Sequence, residues 1–139
     1  MLTATGTLFS HVKPGDKPWR SDGLRDFFLY QDMGVADATH GNVLVQRVKA
    51  NEAPEKGTGW HRHEAAFHVV IMTKGWATFM YGDQETRVEA GDCVHQQPGI
   101  VHYLFDYSPD MEYIEIVSPA DFASIDEAAP CAVPAPTGW

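Results

Sequence analysis

What this 139-residue chain lacks narrows the answer before any motif is read. No apolar run approaches the roughly 20 residues a helix needs to cross a bilayer. No N-terminal stretch joins a basic start to a long apolar run, so the expectation is a cytoplasmic protein with no membrane partner. Lys and Arg number only 10 against 19 Asp and Glu, for a net charge of -9. The basic residues form no cluster, and neutralising phosphates needs one, so a nucleic-acid partner is excluded. There are two cysteines, Cys93 and Cys131. That is too few for a disulfide scaffold, and they read as free thiols in a reducing compartment. Helical periodicity is missing from residues 42–117.

What is present fits one domain with an ordinary share of apolar residues, 44%. Residues 1–25 carry turn signals such as Lys13-Pro14-Gly15-Asp16 and Ser21-Asp22-Gly23 and read as an arm packed on the domain, with Trp19 as its anchor. Residues 26–33 favour a strand, and residues 35–38 allow one helical turn. Residues 42–50 alternate with a period of two. Short strands then follow at 60–64, 67–73, 76–81, 85–89, 93–96, 100–106 and 112–117, separated by turns of a few residues. Turns that short demand antiparallel pairing, and many short strands close into a sandwich or barrel. The expected fold is therefore all-β over residues 26–118. Residues 119–139 read as a short helix, at about 120–129, and a Pro-rich extended tail.

Four of the seven histidines fall where strands can aim them at one point. His61 and His63 are two apart, so on a strand they leave the same face about 6.6 Å from each other. His68 opens the next strand if the chain bends at residues 64–66. His102 lies on a later strand, after Pro98-Gly99. Four neutral imidazoles suit one divalent transition metal (Fe, Mn, Ni, Zn or Cu) better than Ca or Mg. Glu64 competes as an acidic ligand, but alternation puts it on the opposite face from His63. His11, His40 and His95 have no such setting and are left out.

The frame around these residues resembles the cupin family. That family's first motif has His-x-His, an acid four or five residues on, and a Gly seven beyond the acid. Here His61-Arg62-His63 is followed by His68 in the acid's place, and Gly75 falls seven after it. In the second motif, Gly91 precedes Gly99-Ile100-Val101-His102 at the family's distance, with Pro98 one position late. Asp106 stands where an Asn is common, and the Gly before the first His is displaced, with Gly57 nearest. The resemblance covers residues 42–118. It implies a jelly-roll barrel of six to eight strands holding one metal at His61, His63, His68 and His102. It does not imply one activity, because the fold hosts enzymes, binders and sensors. His68 is the main departure, since it removes a carboxylate that could serve as a base.

With His68 and His102 inward, Val70, Met72 and Leu104 line an apolar cavity for a small molecule. Gln46, Tyr81, Gln96 and Tyr113 are candidate polar groups around it. The opposite faces are also apolar: Phe67, Val69 and Ile71 on one strand, Val101, Tyr103 and Phe105 on another. Such faces need a cover, from the arm or from a second copy, and a homodimer is expected. The resemblance implies a metal-dependent enzyme, with dioxygenase-like oxidation of a small organic molecule foremost. An isomerase or lyase and a non-catalytic sensing module are the alternatives. No acid–base residue stands out.

Overall fold

In the computed structural model, residues 6–55 and 57–139 are described; the first five residues of the expected arm lie outside them. Among the described residues, ten strands and one helical turn follow in chain order. They are β1 (Phe28–Asp32), α1 (Val35–Ala38), β2 (Leu44–Ala50), β3 (His61–Glu64), β4 (Phe67–Lys74) and β5 (Trp76–Tyr81). Then come β6 (Gln84–Glu89), β7 (Cys93–His95), β8 (His102–Tyr107), β9 (Glu112–Ser118) and β10 (Ala123–Asp126). Two five-stranded sheets run in the orders β1-β2-β9-β4-β7 and β10-β3-β8-β5-β6. Every recorded pairing is antiparallel. This is the jelly-roll β-sandwich that the short strands and tight turns dictate.

The alternation of each strand decides what lies between the sheets. On β4, His68, Val70 and Met72 point in and are buried, whereas Phe67, Val69 and Ile71 are half-buried on the outside. On β9, Tyr113, Glu115 and Val117 point in. The apolar core is built from Phe28, Val48, Met72, Phe79, Tyr107 and Met111 with their neighbours. Met72 lies four residues beyond His68 on β4 and Tyr107 five beyond His102 on β8, so both strands run from a histidine into packed apolar side chains. Gly75 makes the β4–β5 turn with φ +65, a backbone region that side-chain-bearing residues avoid.

The expected C-terminal helix is not formed. Residues 123–126 are instead a strand that pairs with β3 in the register Ala123↔Glu64, Ser124↔His63, Ile125↔Arg62 and Asp126↔His61. The physical reason is edge pairing. β3 meets β8 only at His61↔His102, and its other edge offers backbone groups that a short isolated helix could not compensate. Arg62 then locks the pair with a 2.6 Å ion pair from Nε to Glu127.

The tail after β10 answers half of the question of what covers the outward faces. Cys131 and Val133 pack with Val101 and Tyr103 against Trp60, Met80 and Phe105. Thr137 bonds both oxygens of Asp106, and the Trp139 indole N–H donates to the Tyr107 carbonyl at 2.9 Å. The arm is held by an Arg20↔Tyr30 bridge, by a Lys49 ammonium 4.1 Å over the Trp19 ring, and by Gln31, whose amide donates to the Pro14 and Lys17 carbonyls. Both cysteines are free, Cys93 on the surface and Cys131 half-buried. Among the described residues, no helix is long and apolar enough to cross a membrane.

Candidate metal centre

β3 is short because a Gly-rich loop precedes it and a bend follows it. Within it, His61 and His63 face inward and are almost fully buried, while Arg62 and Glu64 face out. His102 opens β8 directly opposite His61. The ring centroids lie 4.2 Å apart for His61–His102 and 4.9 Å apart for both His61–His63 and His63–His102. One nitrogen from each comes within 4.8 Å of the others, a spacing compatible with one shared ion.

Hydrogen bonds choose the nitrogen that faces the centre. His61 Nδ1 donates to the Gly59 carbonyl at 2.8 Å, and His102 Nδ1 donates to the Ile100 carbonyl at 3.0 Å. Each Nε2 therefore carries a free lone pair, which is how histidine ligands are oriented in metal sites. Burial lowers all three pKa values: His61 to about 3, His63 to about 2 and His102 to about 4, with the charge of His102 adding to the effect on the first two. The imidazoles are thus neutral at physiological pH, the form that binds metal. The residues fit a divalent transition ion.

His68 is not brought into this trio. Its ring sits 5.0 Å from His63, but its Nε2 lies 2.6 Å from Glu115 Oε1. Glu115 is buried, and its other oxygen accepts from Gln46 Nε2 at 2.6 Å. Burial pushes the Glu115 carboxyl up, yet the His68 and Gln46 hydrogen bonds outweigh that and hold it below the ordinary value. His68 Nδ1 is buried with no partner. Glu115 was not among the expected site residues. Glu64 is exposed, as alternation requires, and His11, His40 and His95 lie on the surface.

The trio, His68, Glu115 and Gln46 line one cavity of about 60 Å³, floored by Phe79, Leu104 and Tyr113. Gln96 also lines it, and the Tyr81 ring packs 5.8 Å from His102. The four expected polar neighbours therefore all gather here. Phe122, just before β10, closes one side with its ring edge-on to His63 at 5.1 Å. Among the described residues, the buried side-chain polar atoms without partners are Arg25 Nη2, His63 Nδ1, His68 Nδ1, Tyr81 Oη and Gln96 Oε1. Four of these residues line this cavity and the fifth stacks near it. The Tyr81 and Gln96 side chains lie within reach of each other, so Arg25 Nη2, His63 Nδ1 and His68 Nδ1 are the nitrogens left for a group other than protein.

The family described as "Cupin domain" matches residues 49–117. The chain belongs to the cupin superfamily. No curated protein matches the sequence significantly. Among solved structures, this cupin is similar to KdgF from Halomonas sp., at 16% identity and TM-score 0.66, covering 81% of this chain and 94% of that one. It is also similar to the polyketide cyclase RemF from Streptomyces resistomycificus, at 13% identity and TM-score 0.67, covering 88% and 90%. A Streptomyces nucleoside dehydratase matches at 15% identity and TM-score 0.59, covering 86% and 92%. At these identities the likeness concerns the fold.

Proposed function

We propose that this cupin is a metal-dependent enzyme that moves a proton on a small organic molecule, a lyase or isomerase in reaction class. The observation that carries this is the claim Glu115 makes on His68. A carboxylate at 2.6 Å keeps the His68 proton on Nε2, which leaves Nδ1 as the lone-pair nitrogen. Three imidazoles with no fourth protein ligand give a divalent metal open positions and a Lewis-acid role. His61, His63 and His102 would hold that metal. His68 then takes a proton at Nδ1 and returns it, while Glu115 faces the positive charge the ring gains, as the orienting carboxylate does in other His-based machinery. Gln46 keeps Glu115 in place. Phe122 and the apolar floor exclude water. The nucleoside dehydratase among the similar folds performs a reaction of this redox-neutral kind.

Dioxygenase-like oxidation is the second reading, favoured by the same three-histidine donor set with room for further ligands. One sequence of measurements separates the readings. Element analysis of protein purified without a His-tag should give one divalent transition metal per chain; no stoichiometric metal would end both. Turnover of small substrates by the metal-loaded protein without oxygen uptake supports the first. Substrate-dependent oxygen consumption by the Fe(II) form establishes the second. Metal without turnover on a broad panel returns the protein to the binding-module class.

We also propose a cytoplasmic homodimer. Val45, Ile116 and Val69 stand side by side across β2, β9 and β4, with Ile114 and Ile71 next to them, on the outer face away from the tail. All five are half-buried. An apolar stripe of this kind on a sheet's outer face favours a second copy as its cover.

A further inference from the structure

Among the described residues, Arg25 is the one charged group lining the cavity that neither the proposed metal trio nor the proposed proton pair uses. The arm brings it there. Gly23 lies flat on the Tyr30 ring, so close that a Cβ at Gly23 would meet Tyr30 Cδ2 at 2.3 Å. The Tyr30 hydroxyl accepts the Arg25 backbone N–H at 2.9 Å. Arg25 thus enters the cavity lining beside the three histidines, and its Nη2 is buried without a hydrogen-bond partner. Its charge bears on His61, His63 and His102. A buried guanidinium nitrogen with no acceptor is costly and asks for one.

We infer that Arg25 is a substrate-recognition residue and that the substrate is a small organic carboxylate, its carboxylate seated on the Arg25 guanidinium beside the metal trio. This rests on the metal-dependent reading above, which it narrows to a substrate class. Guanidinium and carboxylate match in shape and charge. A phosphate dianion fits less well, because it sets a second negative charge against a single guanidinium in a lining that already holds the Glu115 carboxylate. The cavity of about 60 Å³ admits a carboxylate and a few more atoms. Anything longer must extend past Leu24 and Phe122 into an outer hollow of about 440 Å³, which these two residues also line.

The test is calorimetric titration of the zinc-loaded protein with acetate, glycolate and lactate, against acetamide, glycolamide and lactamide, with inorganic phosphate as a further probe. The acids should bind at least about tenfold tighter than their amides. Arg25→Gln should erase that preference while keeping one zinc per chain, and Arg25→Lys should restore part of it. The ligand-free Arg25→Gln protein should melt no lower than the parent, because the buried Nη2 has no hydrogen-bond partner to lose; a clear drop would mean that Arg25 is structural. Acids and amides binding alike, nothing binding at millimolar concentration, phosphate binding tightest, or Arg25→Gln keeping the preference would each overturn the inference. Zinc bound stoichiometrically with no acid preference leaves the metal reading standing without this one. Acid preference through Arg25 in a protein that takes up no zinc does the reverse.

Discussion

Replacing Glu115 by Gln tests whether His68 serves the metal or a proton. The change keeps shape and removes one buried charge. In the parent, one carboxylate oxygen accepts from Gln46 and the other faces His68 Nε2, each at 2.6 Å. In the variant, Gln46 still needs an acceptor, so the new amide turns its oxygen to Gln46 and its NH2 to His68. His68 Nε2 must then accept, which moves the ring proton to Nδ1, the atom whose lone pair the proposed proton transfer uses. General acid–base catalysis contributes about 10²–10⁴ in rate, and a wrong tautomer forfeits most of it. Stability should move little. Losing a charge-assisted hydrogen bond costs about 1.5–3 kcal/mol, and removing a buried charge offsets part of that. Metal content should stay stoichiometric. Nitrogen NMR of His68 reads the tautomer without knowledge of the substrate, metal titration reads the affinity, and turnover reads the rate. His68→Ala completes the set. A residue outside the metal's ligands costs at most about a hundredfold in metal affinity. If His68→Ala loses far more than that, or if Glu115→Gln keeps the parent's tautomer and rate, then His68 is a fourth ligand and the proton argument fails.

Three further outcomes are expected. In chelator, the metal-free protein should lose stability as pH falls below about 6.5, because unfolded histidines take up protons that His61, His63 and His102 refuse until about pH 4 and below. The slope reaches about 4 kcal/mol per pH unit near pH 5 for the three together. His63→Asn should remove about a third of it, and urea midpoints that stay flat from pH 7.5 to 5 would contradict the depressed values. Gly75→Ala should destabilise by more than about 2 kcal/mol. Its Cβ would meet Ser108 Oγ at 2.1 Å and the Met111 Cα at 3.1 Å at a φ of +65, and an unchanged melting temperature would refute the packing described. Light scattering on a sizing column should give a dimer for the parent and a monomer for Ile116→Lys; a monomeric parent would show that the β2–β9–β4 stripe is tolerated bare.

The convergence of His61, His63 and His102 was legible because its signal is local. His61 and His63 declare their shared face by spacing, and turn residues around Gly75, Gly91 and Pro98-Gly99 fix the strands that carry His68 and His102. Glu115 was not legible. It sits on a strand whose two faces, Tyr113-Glu115-Val117 and Ile114-Ile116, are both partly apolar, so period-two alternation alone cannot say which is inward. The one clue was a charge between two β-branched residues in the middle of a strand, and that becomes informative only once His68 lies two strand positions away across the β4–β9 ladder. The Glu115 contact of His68 is hidden from the sequence for the same reason: the two residues are 47 positions apart. The helix expected near residue 123 failed because the free edge of β3 is a tertiary feature, and no window of sequence displays an edge waiting to be paired.

The division of labour within the chain follows from where each group is anchored. His61, His63, His68, Gln96, His102 and Glu115 all lie within the family-matched residues 49–117; five of them sit on strands paired on both sides, and Gln96, just past β7, is tied by its backbone N–H to the His68 carbonyl at 2.7 Å. Groups that must hold a metal and a proton to fractions of an ångström belong on such elements. Leu24, Arg25 and Phe122 lie outside that span, on the arm and on the segment leading into β10, and both segments are tied down at a few points rather than by full ladders. They form the mouth and one wall of the cavity. Substitutions there can change which molecule enters without disturbing the ligands beneath, as loops on a rigid scaffold allow. On the proposed reading, a scaffold so arranged would keep its metal chemistry while its substrate changed. On that reading Arg25 and Phe122, rather than the histidines, would decide which molecule this cupin takes.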